Sequence, residues 1–141
     1  MAQPRRRSKT ADVLPAALRQ RMEAMRKPLL RIHKALLDYE RVAYEKVRGR
    51  IGNSGEFLQL VIRDPWFAWL RPLSELIVRI DELLESEDAA AVADAEAAVA
   101  QVTEMLRADE EGGEFQRHYY RALQDSPEVV GAHGMWKQLG G

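Results

Sequence analysis

Residues Asp64–Leu84, DPWFAWLRPLSELIVRIDELL, decide the fold of this 141-residue chain. Asp64 is a good helix N-cap, and Pro65 sits at the first helical position, where its missing N–H costs nothing. Beyond them Trp66, Trp69, Leu73, Leu76, Ile80 and Leu83 recur at steps of three and four. That is the spacing of a helix burying one seam against other helices. Pro72 falls off this seam, so the kink it causes leaves the core contacts intact.

Upstream, a second pattern starts at Asp12. Leu18, Met22, Met25, Leu29, Ile32, Leu36, Tyr39 and Ala43 follow alternating steps of four and three. Pro28 removes a backbone hydrogen bond inside that run and predicts a kink or a split there. Gly49, Gly52, Asn53 and Gly55 end the element. Between them and Asp64, Glu56–Arg63 is apolar nearly all round, which suits one or two buried helical turns.

Downstream, Ser86 opens another helix, with Glu87 and Asp88 in its first turn and Val92, Ala95, Val99, Val102 and Leu106 as its seam. Gly112 and Gly113 break it, and Glu114–Gln124 follows with Phe115, Tyr119, Ala122 and Leu123 inward. Ser126-Pro127-Glu128 is a further cap-and-start signal for a short helix through Trp136. The predicted fold is all-α: an antiparallel up-and-down bundle of four main helices with short accessory helices. Its first helix is kinked near Pro28 and the Asp64–Glu85 helix is central. Residues 1–10 form a flexible basic tail, and residues 11–141 a single helical-bundle domain.

Composition narrows the function classes. The chain has no cysteine, which excludes disulfides, zinc–thiolate sites, iron–sulfur clusters and covalently attached c-type haem. No apolar stretch follows Arg5–Arg7, and no run approaches the roughly 20 apolar residues of a membrane span, so a cytoplasmic address is expected. Sixteen arginines against five lysines, with abundant alanine, hint at a GC-rich bacterial source. The net charge of −1 hides a split: residues 1–50 hold 14 Lys/Arg and 5 Asp/Glu, and the remainder holds 7 and 17. Such asymmetry marks either a basic surface for a partner or helices whose fields cancel on packing.

Candidate site residues come from the first long helix. His33 and Glu40 lie seven residues apart inside its apolar stripe, with Tyr44 beside them. A carboxylate there must find partners or shift its pKa. One reading is an inter-helix ligand site lined by His33, Glu40, Tyr44, Trp66 and Trp69. The other is structural, with Glu40 bonded to Arg71, Arg79 or a tyrosine. Metal is not predicted: the chain has no Glu-x-x-His, its nearest pair is Glu114 and His118, and His33, His118 and His133 complete the histidines. No cofactor is predicted. GRIGNSG lacks the phosphate-loop pattern, and the serines carry no nucleophile motif, so no catalytic residue is assigned.

Phe67 and Val78 fall on a flank of the Asp64–Leu84 pattern, which suggests a second buried face or an interface patch. Arg5, Arg6, Arg7 and Lys9 are the sole nucleic-acid-like feature, without interleaved aromatics. The expected function is a non-enzymatic interaction or regulatory module, a homodimer or a partner of another protein. The ligand-binding bundle and the nucleic-acid-associated protein are its alternatives.

Overall fold

The computed structural model describes residues 14–86 and 91–140, and over them the chain is all-helical. Six α-helices are present among the described residues: α1 (Ala16–Arg48), α2 (Ser54–Arg63), α3 (Arg71–Glu85), α4 (Ala91–Met105), α5 (Glu114–Asp125) and α6 (Pro127–Lys137). A 3₁₀ segment, Pro65–Leu70, joins α2 to α3. No helix among the described residues is long and apolar enough to cross a membrane. The basic tail with Arg5, Arg6, Arg7 and Lys9, and the expected helix start at Glu87 and Asp88, lie outside the described residues.

The apolar seams are buried where the periodicity places them. Met22, Met25, Leu29, Ile32 and Leu36 of α1 are buried, and so are Leu73, Leu76, Ile80 and Leu83 of α3. Helix α1 runs through Pro28 as one element of 33 residues rather than two, with the proline itself buried on the seam. Packing of that long apolar face outweighs the hydrogen bond that the ring deletes. Gly49 then ends α1 at φ 101°, a conformation that side-chain-bearing residues avoid, and its N–H bonds to the Glu45 carbonyl.

The Pro65–Glu85 segment is central, packing on α1, α2, α4 and α5, and α1 shares that position. Helices α3, α4 and α6 and the 3₁₀ segment all pack on α1, and α6 does so most extensively. Helix α4 presents Ala91, Ala95 and Ala98 inward, which allows close approach to its neighbours. Gln116 ties α4 to α5 by a polar route: its Nε2 donates to the Glu104 carbonyl at 2.7 Å, and its Oε1 accepts from Gly113 N at 3.0 Å. Ser126 caps α6 through Val129 N at 3.2 Å with Pro127 in the first turn, as the sequence signal predicts.

The expected Asp64–Glu85 helix is two elements. Pro72 has no N–H to give the Ala68 carbonyl, as an α-helix would require, and Arg71 N–H takes that carbonyl instead. The turn before it tightens to three residues per turn, where positions i and i+3 eclipse. Phe67, Leu70 and Leu73 therefore line up, and all three are fully buried. Trp66 and Trp69 form the neighbouring line, which positions the site described next.

Trp136 is the largest side chain that α6 commits to the core, and it is 2 % exposed. Trp136→Ala is expected to cost about 3–5 kcal/mol through lost burial and a residual cavity. Chemical denaturation would read this as a lower midpoint with an unchanged slope.

Candidate functional site

Glu40 is buried on α1, and its carboxylate is held by two indoles. Trp66 Nε1 donates to Oε1 and Trp69 Nε1 donates to Oε2, each at 2.9 Å. Neither an arginine nor a tyrosine takes this role. The 3₁₀ register accounts for the double contact, because it stacks the two tryptophans one above the other on the side facing α1. A carboxylate only accepts, so two N–H donors satisfy it without a second ion in the core. Hydrogen bonds to charged groups contribute about 1.5–3 kcal/mol each, so this clasp is a principal tie between α1 and the 3₁₀ segment.

Aromatic rings surround the clasp. Tyr44 meets Trp66 edge-on at 5.5 Å and Phe67 at 5.7 Å, and Phe57 of α2 meets Phe67 at 5.7 Å. On the other side His118 stacks on Trp69 at 4.7 Å with an interplanar angle of 15°, and Phe115 approaches the same indole at 5.2 Å. Burial holds the His118 pKa below the ordinary value, and Glu40 opposes that shift without reversing it. Of the five residues expected to form a ligand site, four converge: Glu40, Tyr44, Trp66 and Trp69.

His33 does not join them. Seven residues along a helix is a rise of about 10 Å, so a shared stripe brings it no nearer to Glu40. Its Nε2 is buried with no hydrogen-bond partner among the described residues, and burial lowers its pKa. His133 is also apart: its Nδ1 lies 2.6 Å from the Tyr119 hydroxyl. Burial raises the Tyr119 pKa and lowers that of His133, so both shifts favour the neutral forms of this pair. Tyr39 donates to Asp125 at 2.7 Å, and burial together with that carboxylate pushes its pKa up to about 12. Among the described residues no three His, Asp or Glu groups gather as a metal would need.

The flank separates into its two outcomes. Phe67 is fully buried in line with Leu70 and Leu73, so it presents nothing to a partner. Val78 is 55 % exposed, yet its neighbour Asp81 is engaged by Arg26 of α1. Apolar side chains are also exposed on α2, where no residue is buried and Leu58 and Ile62 are 55 % and 52 % exposed. The sequence marks this segment as apolar all round, but the pattern points to burial and not to an outward face. Comparison with known proteins yields no match, whether to a family model, a curated protein or a solved structure.

Two outcomes follow. Glu40→Gln leaves one indole N–H facing an amide N–H, and is expected to cost about 1–3 kcal/mol. A double-mutant cycle with Trp69→Phe should give a coupling energy of comparable size, whereas the same cycle with His33→Leu should give none. For pH, the folded state disfavours protonation of His33, His118 and His133, and the unfolded chain takes up those protons near 6.5. Thermal stability is therefore expected to fall as pH drops below 6.5. His33→Leu should flatten that slope in melting curves, since it removes a buried, unpartnered nitrogen.

Proposed function

We propose that this chain is a non-enzymatic interaction module, acting in the cytoplasm, that docks an acidic amphipathic segment of another protein on the outward face of α2. The observation that carries the proposal is the exposure of Leu58 and Ile62, one helical turn apart, on a helix that buries nothing fully. Helix α2 is anchored by Phe57, Leu60 and Val61, which pack against the core from its inner side, so the outer side is free for a partner.

Charge selects the occupant. Residues 41–63 carry five basic side chains, Arg41, Lys46, Arg48, Arg50 and Arg63, against Glu45 and Glu56. A second copy joined by a two-fold axis at this end would oppose like charges, whereas an acidic segment gains both steering and register. The ligand reading around His33 and Glu40 has less support, because both Glu40 oxygens are engaged by indoles and His33 stands apart.

The test uses a synthetic amphipathic peptide with leucines on one helical face and glutamates on the other, and a counterpart with lysines for the glutamates. The acidic peptide is expected to shift the amide NMR signals of Leu58, Ile62 and Arg63, more weakly as salt rises. The lysine peptide should not shift them. Leu58→Ser with Ile62→Ser should abolish the response while leaving the melting temperature within a few degrees. Equal response to both peptides, or none, would sink the proposal. So would a concentration-dependent dimer in sedimentation that the double variant dissolves.

A further inference from the structure

On the inner flank of α2 lies a separate feature, a cleft of about 580 Å³ between that helix and the end of α1. Its rim carries three arginines from three backbone segments: Arg48 in the last turn of α1, Arg50 in the connecting loop and Arg63 in the last turn of α2. None of the three has an ion-pair or hydrogen-bond partner among the described residues, unlike Arg26, Arg41, Arg79 and Arg107. Tyr44, Ile51, Leu60 and Pro65 supply apolar wall. At about 100° per residue, the lining residues Glu56, Leu60 and Arg63 lie about 100° or more around the helix from Leu58 and Ile62. The cleft and the proposed docking face therefore have separate apolar contacts, while Arg48, Arg50 and Arg63 lend their charge to both.

Two carboxylates also line the cleft, and each is already committed through one oxygen. Glu56 Oε2 accepts from Gly52 N at 2.8 Å, and Asp64 Oδ1 accepts from Trp66 N at 2.8 Å. Their remaining oxygens are acceptors suited to hydroxyl groups. They also oppose a bare anion, so charge alone does not describe the site. Guanidinium forks match phosphate oxygens in geometry, and several of them suit a dianion better than a single carboxylate. The volume is that of a small-molecule pocket.

We infer that this cleft binds a small phosphate monoester with a hydroxylated body: the phosphate on Arg48, Arg50 and Arg63, the hydroxyls towards Glu56 and Asp64, and any flat apolar part against Tyr44 and Pro65. A nucleoside monophosphate has all three features and serves as the probe.

The experiment titrates the whole chain with AMP, glycerol phosphate, inorganic phosphate and adenosine, following backbone amides by NMR. The phosphate esters are expected to shift amides at residues 48–52 and 63–65, and adenosine and inorganic phosphate to bind at least several-fold more weakly. Arg50→Gln and Arg63→Gln should each weaken ester binding about tenfold by removing charge-assisted contacts. Arg31→Gln, on an exposed face of α1, should leave it unchanged. All of these side chains are exposed, so folding is retained and the melting temperature verifies it. No response to either ester overturns the inference. Equal binding of AMP and adenosine overturns the role of the phosphate, and insensitivity to Arg50→Gln and Arg63→Gln overturns the site. Loss of peptide docking at Leu58 and Ile62 with ester binding intact would fault the partner reading alone.

Discussion

One carboxylate between two indoles fixes how the first half of this molecule is put together. Glu40 is three-quarters of the way along the longest helix, and it accepts from Trp66 and Trp69 on a segment that is not α-helical. Taking a carboxylate out of water is costly unless its oxygens are satisfied, so the indoles do more than fill space. Their N–H groups give an otherwise apolar interface a preferred rotation and register, since any slip of α1 past the 3₁₀ segment would leave an acceptor and two donors unpaired. Tyr44, Phe57 and Phe67 extend that constraint to α2, and Phe115 and His118 extend it to α5.

Much of the fold is legible in the residues. The alternating spacing from Leu18 to Ala43, the seam from Leu73 to Leu83, the break at Gly49 and the Ser126-Pro127 start all have observed counterparts, whereas α4 ends at Met105, seven residues before the expected break at Gly112. Repeated spacing and cap chemistry are local properties, and helices of this length express them directly. Prediction loses accuracy where geometry departs from 3.6 residues per turn. Projecting Phe67 on an α-helical wheel sets it on a flank, whereas the 3₁₀ turn before Pro72 swings it onto the same line as Leu70 and Leu73. Pro28 and Pro72 also show that a proline's effect depends on its place. The first, deep inside a long apolar face, does not end the helix. The second, in the first turn of α3, decides the form of the turn before it.

The site is less legible because wheels discard height and say nothing of partners. His33 and Glu40 share an angle and not a neighbourhood. Glu40 stands out in sequence as a charge on an apolar stripe, and Trp66 and Trp69 stand out as seam residues. Their hydrogen bonds span 26 and 29 residues, and nothing local announces them. Arg48, Arg50 and Arg63 carry even less signal, because a cleft exists only once the loop from Gly49 to Asn53 has turned α2 back against α1.

The tight clasp and the idle surfaces are two consequences of one arrangement. Helix α2 packs its apolar side on the core through Phe57, Leu60 and Val61, and Arg71 of α3 donates to its Ile62 carbonyl. Because the Glu40 clasp holds the 3₁₀ segment beneath it, α2 keeps a fixed position while burying little of itself. A helix held in this way has two different faces, one apolar and outward, one lined with arginines and turned towards α1. Rigid support beneath an underused apolar element is an arrangement that favours binding, since little ordering cost remains when a partner arrives. Core packing alone does not require Leu58 and Ile62 to be apolar or Arg48, Arg50 and Arg63 to stand unpaired, and the proposed recognition would give both features a physical purpose.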